Sequence, residues 1–245
     1  MPTSTPFEIV FNVEMTCQSC AESIGKAISP LVSSYDCDVK NNTVTTTGGV
    51  APSEIVKAIQ STGRDAIIRG TGKPNSAAVC ILESFDPKDN DHPVKGLARI
   101  VSVSTSDLFI DLTINGLPKG VYYPSIRSVG NLSRGPLSTG SLFYQLSPIE
   151  VMVPSDETSI INSVGAPMVV DGFSGQSFLH ANLGITDLIG RSIVVSRAHD
   201  LITEDALCGV IARSAGVWEN DKTVCSCSGK TVWEERQDAR GRGIN

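Results

Sequence analysis

The chain has 245 residues and carries 26 acidic against 20 basic side chains, for a net charge of −6, a length that suits one to three domains with a sizeable core. With an isoelectric point near 5.1 and no Lys/Arg run long enough to follow a phosphate backbone, the composition argues against nucleic acid as a partner. No apolar run reaches the roughly 20 residues of a membrane span, and residues 1–11 lack the basic and apolar regions of a secretion signal. The chain therefore reads as soluble and intracellular, with no integral membrane association. Thiols stay reduced in such a compartment, so the seven cysteines are judged first as ligands or redox groups.

Residues 7–69 alternate between strand-like and helix-like patterns. Phe7, Ile9, Phe11 and Val13 are spaced by two and predict a half-buried strand. After a cysteine loop, Ala21, Ile24, Ala27, Ile28 and Leu31 fit one face of a helix. Residues 32–39 and 43–47 are β-rich and parted by Lys40-Asn41-Asn42. Pro52-Ser53-Glu54 opens a second helix running to about Gln60, Thr62-Gly63 ends it, and Ala66-Ile67-Ile68 supplies a last strand. The order β-α-β-β-α-β is ferredoxin-like.

Residues 70–76 are rich in linker types. Beyond them come short β-prone runs at 79–82, 97–103, 109–114, 193–195 and 209–212, separated by Gly, Pro, Asn and Asp, with little helical periodicity. A β-sandwich or barrel is the expected architecture. The polar residues 217–245 carry Trp218 and Trp233 on either side of Cys225 and Cys227. They are expected to form a flexible tail that orders on a partner. The resulting division is 1–70, 71–76 as linker, 77–216, and 217–245.

Four of the seven cysteines lie in two close pairs, Cys17/Cys20 in Met15-Thr16-Cys17-Gln18-Ser19-Cys20 and Cys225/Cys227 in Val224-Cys225-Ser226-Cys227. Two neighbouring thiolates suit a soft ion such as Cu(I), and they also suit thiol exchange. Cys17 and Cys20 fall between a strand and a helix, where the positive end of the helix dipole eases deprotonation. Cys-x-x-Cys spacing alone leaves zinc knuckles and redox dithiols open, although a structural zinc site wants four ligands. One residue between Cys225 and Cys227 favours shared soft-metal ligation or a strained, reducible disulfide.

With Met15 two residues before Cys17 in a small β-α-β-β-α-β unit, residues 7–70 resemble the heavy-metal-associated domain family. That resemblance implies Cu(I) held between the Cys17 and Cys20 thiolates. It also implies that Met15 packs and shapes the loop, with Arg64 as a basic residue near the thiolates.

Ala78-Val79-Cys80-Ile81-Leu82, Val94-Lys95-Gly96-Leu97-Ala98-Arg99-Ile100, Leu188-Ile189-Gly190-Arg191-Ser192-Ile193-Val194-Val195 and Cys208-Gly209-Val210-Ile211-Ala212 resemble strand signatures of copper/zinc superoxide dismutase. The likeness implies a Greek-key barrel over 77–216. Yet the chain has only three histidines, His92, His180 and His199, the last two expected at the surface or in loops. The family's paired copper histidines fall on Ser125 and Arg127, a later one on Ser196, and the catalytic arginine near Asp205. Residues 140–153 contain no histidine where the zinc loop should be. Hydroxyl and guanidinium groups do not replace imidazole as copper ligands, so dismutase activity is not expected.

Gly209-Val210-Ile211-Ala212-Arg213-Ser214-Ala215-Gly216-Val217-Trp218-Glu219 resembles the metallochaperones that load copper into copper/zinc superoxide dismutase. That family joins a heavy-metal domain, a dismutase-like domain and a Cys-x-Cys tail in this order. The resemblance implies a non-enzyme that forms a heterodimer with immature dismutase and a homodimer when free. It delivers Cu(I) and promotes the target's disulfide by thiol exchange at Cys225 and Cys227, with the cytoplasm as the default compartment and a mitochondrial intermembrane space pool allowed by the resemblance. The implied docking face includes Ile81, Gly130, Asn131, Leu132, Ile211, Arg213, Ser214, Gly216 and Trp218; core packing is the other reading of Ile81 and Ile211. Cys80 is expected in the core and Cys37 as structural. Cys208 is expected as a semi-buried thiol without a disulfide partner in residues 134–138, which would leave the docking loop held by packing alone. A copper-sequestering or thiol-redox protein without a dedicated target is the alternative.

Overall fold

The computed structural model describes residues 6–73, 75–91, 93–152, 173–199, 201–214, 216 and 229–241. Two compact units part between Ala77 and Ala78.

The first unit runs β1 (Phe7–Val13), α1 (Gln18–Ile28), β2 (Ser34–Asp38), β3 (Thr43–Gly48), α2 (Pro52–Gln60) and β4 (Ala66–Thr71). Its antiparallel sheet has the order β2-β3-β1-β4, which is the ferredoxin-like arrangement expected from the sequence. The helices form where periodicity places them. Ala21, Ile24 and Ile28 bury one face of α1, and Ile55 and Ile59 bury one face of α2. Burial of each such isoleucine is worth about 1.5–3 kcal/mol. Pro52 pre-sets the first turn of α2, where its missing N–H costs nothing.

Three details differ from the sequence reading. Leu31, read on the face of the first helix, lies beyond the end of α1 at Ile28. β1, central in the sheet between β3 and β4, is not half-buried: the alternate residues Val10 and Asn12 are buried as well. Gly70 and Thr71, read as linker, pair with Val10 and Ile9 and belong to β4.

The second unit comprises β5 (Ala77–Glu83), β6 (Val94–Ser102), β7 (Leu108–Leu117), β8 (Gly120–Arg127), β9 (Ser133–Pro136), β10 (Leu142–Gln145), β11 (Ile149–Val151), β12 (Phe173–Ala181), α3 (Ile185–Leu188), β13 (Ser192–Ser196), β14 (Leu207–Val210), β15 (Ala212–Arg213) and α4 (Val232–Gly241). The main sheet is antiparallel, ordered β10-β8-β13-β14-β5-β6-β7-β12. It curls on itself: β11 pairs with β8, and Met152 at its end exchanges two 2.9 Å backbone hydrogen bonds with Ser174 of β12. Alternate residues Cys80, Leu82, Ala98, Ile100, Leu108, Ile110, Leu112 and Ile114 point into a single core.

β14 passes so close to β5 that Gly209 has no room for a side chain; a Cβ there would lie 1.8 Å from the Ile81 carbonyl oxygen. Gly209→Ala is therefore expected to destabilise this unit by about 3 kcal/mol, the upper end of overpacking costs. A lowered unfolding temperature of the second transition in calorimetry checks this.

The stretch expected to order only on a partner contains a helix, α4. Thr231 caps it, its N–H and hydroxyl donating to Glu234 Oε2 (2.7 and 2.9 Å) while the Glu234 N–H returns to Thr231 Oγ1. Burial pulls the Arg99 guanidinium down, Asp111 at 3.9 Å opposes the shift, and Arg236 of α4 adds to it. The Arg236 charge thus lies within electrostatic reach of Arg99.

Candidate metal centre

β1 leads into a loop anchored by the turn between β2 and β3. The Met15 N–H donates to Asn42 Oδ1 (2.8 Å) and the Val13 N–H to the Asn42 carbonyl (2.9 Å), with Asn42 itself in the left-handed region at φ 55°. Asn tolerates that conformation better than most residues. The Met15 side chain is buried and shapes the loop, as the sequence suggested.

Cys17 is the extended residue before α1, and its exposed thiol makes no capping bond to the helix. Cys20 lies in the first turn, its N–H donating to the Cys17 carbonyl (3.1 Å). The two sulfurs are 3.4 Å apart as free thiols. Thr16 Oγ1 sits 3.5 Å from Cys20 Sγ, and Ser19 Oγ lies 3.0 Å from Cys17 Sγ. No acidic residue occupies the first turn, so the positive end of the helix dipole faces the sulfurs uncompensated.

Arg64, in the loop after α2, is steadied by bonds from Nη1 to the Thr62 carbonyl (3.0 Å) and to Thr62 Oγ1 (3.3 Å), and it hydrogen-bonds Cys20. Hydrogen bonds from the Thr16 hydroxyl, then the Thr16 backbone, then Arg64 and Cys17 outweigh burial and lower the Cys20 thiol from 9.0 to about 6. At neutral pH one of the two sulfurs is thus already a thiolate.

The sign of the pH effect follows. A folded pKa below the unfolded one adds stability that is present above pH 9 and lost as pH falls through about 6. Alkylation of Cys20 in the metal-free chain is expected to follow a midpoint near pH 6. That midpoint should move upward in Thr16→Ala and, by less, in Arg64→Gln, as followed by mass spectrometry of the labelled peptide. Among the described residues no three of His, Cys, Asp and Glu gather, so these residues do not offer the four ligands of a structural zinc site.

Cys225, Cys227 and Trp218 lie outside the described residues, as does His92. Trp233 is half-buried on α4. The positions where dismutase histidines would fall do converge: Ser125 and Arg127 of β8 and Ser196 of β13 line one cavity of about 320 Å³. The other histidines form no metal cluster. His180 sits on β12, 3.3 Å from Asp107 and beside Phe109, and His199 meets Tyr123 edge-on.

Of the implied docking residues, Ile81 is 44 % exposed, Asn131, Arg213 and Ser214 are exposed, and Gly130 and Leu132 are half-buried. Gly130 abuts Val210, a Cβ there lying 3.0 Å from Val210 Cγ1, and Gly209 approaches Ile81, so these positions adjoin. Ile211, at 1 % exposure, packs in the core instead, and Gly216 is buried.

Cys80 is a core residue, as expected, and Cys208 is fully buried at 0 % exposure rather than semi-buried. β14 lies between β13 and β5, which packs Cys208 with Val194 and Ala206. Burial pushes both thiols up to about 12. Burial, reinforced by Asp36, also raises the Cys37 thiol. The loop around Asn131 is held by more than packing. Ser138 Oγ bonds the Asn131 carbonyl (2.9 Å), Asn131 Oδ1 accepts from the Ser133 N–H (2.9 Å), and Ser192 Oγ donates to the Val129 carbonyl (2.8 Å). Thr16 and Asn42 were missed by sequence reasoning, although Thr16 adjoins Cys17 and a polar residue there is a plain hydrogen-bond donor to sulfur.

A ferredoxin-like unit presenting paired thiols at a helix N-terminus, in one chain with a dismutase-type barrel whose histidine positions are lost, defines a protein that handles a soft metal ion. Residues 10–65 match the heavy-metal-associated domain family. The chain is 65 % identical over 244 residues to the superoxide dismutase 1 copper chaperone of Debaryomyces hansenii, covering 97 % of this chain and 98 % of the relative. It is 40 % identical to the superoxide dismutase 1 copper chaperone of Saccharomyces cerevisiae, with full coverage of both. The identity is 31 % to the copper chaperone for superoxide dismutase of Sus scrofa, over 92 % of this chain and 88 % of the relative. The chain belongs to the family of copper chaperones for superoxide dismutase, a family of metallochaperones rather than of enzymes.

Proposed function

We propose that the chain carries Cu(I) between Cys17 and Cys20 and delivers it to immature copper/zinc superoxide dismutase through a heterodimer with the second unit. The observation that carries this reading is the pair of thiols 3.4 Å apart at the start of α1, one held well below its ordinary pKa. Two soft thiolates favour Cu(I) over harder ions. With the Cys20 thiol already ionised at neutral pH, binding has one proton fewer to displace. Arg64 offsets the negative charge that a bis-thiolate copper(I) site carries.

The division at 1–70, 71–76, 77–216 and 217–245 assigns cargo to the first unit and partner choice to the second. Cys225 and Cys227 receive the ion or pass it on, and they exchange thiols with the target. The metal-free chaperone pairs with itself through the face that later meets the enzyme, since a barrel of the dismutase type offers a self-complementary surface. No helix among the described residues is long and apolar enough to cross a membrane. The reading takes the cytoplasm as the protein's default compartment and allows a further pool in the mitochondrial intermembrane space.

The adjoining Ile81, Gly130, Asn131, Leu132 and Arg213 serve as the docking face, with Ser214, Gly216 and Trp218 following along the chain. Ile81→Asp puts a charge on this apolar patch at an exposed position and is expected to weaken heterodimer formation at least about tenfold, within the range of a single interface hot spot. Light scattering on mixtures with reduced, zinc-loaded dismutase measures it. An unchanged heterodimer in that variant would place docking elsewhere.

A further inference from the structure

The docking positions on the loop after β8 rest against the turn between α3 and β13, three consecutive residues meeting three. The Ser128 carbonyl accepts from Arg191 Nη1 (2.7 Å), and the Val129 carbonyl accepts from Ser192 Oγ (2.8 Å). Gly130 presses on Gly190, where a Cβ would come within 2.6 Å of the Gly190 carbonyl oxygen. The same turn grips the other half of the face. The Gly190 N–H donates to the Ile211 carbonyl (2.9 Å) and the Ile211 N–H to the Arg191 carbonyl (2.8 Å), next to the exposed Val210.

The Arg191 side chain joins three elements. Its Nε donates to the Asp187 carbonyl in α3 (2.6 Å), its Nη1 reaches the loop at Ser128, and its guanidinium carbon lies 3.7 Å from the centroid of the Phe143 ring on β10. A planar guanidinium offers donors at its edge and a face for an aromatic ring at once, whereas a lysine ammonium is a point charge without that fixed fork. Bonds from a charged donor are roughly twice as strong as neutral ones. Cys208 has no disulfide partner in residues 134–138, so noncovalent ties of this kind set the conformation of the loop.

We propose that Arg191 is a positioning residue for docking, which holds residues 128–132 in the conformation that meets the dismutase and acts through that loop rather than by touching the enzyme. The inference rests on the docking face proposed above. A loop ordered before the partner arrives spares the complex the cost of ordering it on binding. Loosening the loop therefore weakens the complex although every group of the face is still present.

The test compares the full-length, metal-free wild type with Arg191→Lys, which keeps the charge, and with Phe143→Leu, which removes only the exposed stacked ring. Amide hydrogen exchange is followed by NMR at Val129, Ser133 and Arg134, whose N–H groups donate to the Thr139 carbonyl, Asn131 Oδ1 and Ser138 Oγ. The protein is kept at a concentration where light scattering shows a monomer. Exchange at these amides is expected to rise at least about tenfold in Arg191→Lys, as loss of a bond from a charged donor implies. It should rise by less in Phe143→Leu, with the amides of the first unit unchanged in both. Affinity for reduced, zinc-loaded dismutase should fall in parallel, by about tenfold in Arg191→Lys, while Cu(I) affinity at Cys17 and Cys20 stays the same. Unchanged exchange in both variants overturns the proposal, and weakened binding without faster exchange would make Arg191 a direct contact instead. Faster exchange with undiminished binding overturns it as well, because the arginine would then serve the loop and not the docking. If the wild type itself forms no heterodimer, the docking face fails and the proposal falls with it, whatever the exchange rates.

Discussion

A chain carrying Cys225→Ser and Cys227→Ser is expected to keep copper in its first unit and to activate no dismutase, with activity falling to the chaperone-free background. The same result is expected for a chain truncated after Gly216. The reason is chemical. When the pair is a disulfide, a target thiolate attacks one of its sulfurs to give a mixed disulfide. The second target thiol then displaces the tail cysteine, so the target is oxidised by two electrons and the tail is left as a dithiol. Serine supports neither half of that exchange, nor does it bind a soft ion. Copper storage at Cys17 and Cys20 needs none of this, so the truncated chain separates a targeted chaperone from a sequestering protein. A truncated chain that still activates the enzyme would remove the tail from the mechanism.

Replacing Cys17 and Cys20 by serine is expected to lower bound copper by one ion per chain and to reduce the affinity of the first unit by roughly a thousandfold or more, or about 4 kcal/mol. Both ligands of the site vanish, and the local field that Thr16, Arg64 and the start of α1 create has no thiolate left to stabilise. Competition against a chromophoric Cu(I) chelator measures the loss. Because the unit's core rests on Ile24, Ile28, Ile55 and Ile59 rather than on the exposed loop, its circular dichroism should stay unchanged. Equal copper affinity in the double variant would move the primary site to Cys225 and Cys227.

Much of the first unit was legible because its signals are local. Isoleucines at helical spacing, a proline at the start of α2 and a β-turn at Lys40-Asn41 each act over a few residues, and the elements formed where they point. The cysteine loop was legible in its thiols but not in its support. Thr16 adjoins Cys17 in sequence, whereas Asn42 reaches Met15 across 27 positions, a contact that only the pairing of β1 with β3 creates.

In the second unit, β8 was hidden because Pro124 interrupts it; the strand tolerates that residue within a curled sheet where Leu146 N–H bonds the Pro124 carbonyl. β12 was hidden by its Ser, Gly and Gln content, which masks the alternation. Helix α4 did carry a readable mark, the Thr231-x-x-Glu234 capping box, overshadowed by the polarity of the stretch around it. The loop around Asn131 misled for another reason. The missing cysteine partner of Cys208 suggested a loop held by packing alone, yet hydrogen bonds that Ser138 and Ser192 donate and that Asn131 accepts hold it as well. Hydrogen bonds of that kind depend on which strands meet, and no short window of sequence states it.

The most direct measurement of the central claim mixes the Cu(I)-loaded chain with zinc-containing, copper-free, reduced copper/zinc superoxide dismutase in the presence of a copper chelator and reads dismutase activity. The wild-type chain is expected to restore activity under chelation, while the Cys225→Ser/Cys227→Ser chain is not. Absence of activation by both, with copper still bound at the first unit, would contradict targeted delivery and leave the chain a copper-sequestering protein.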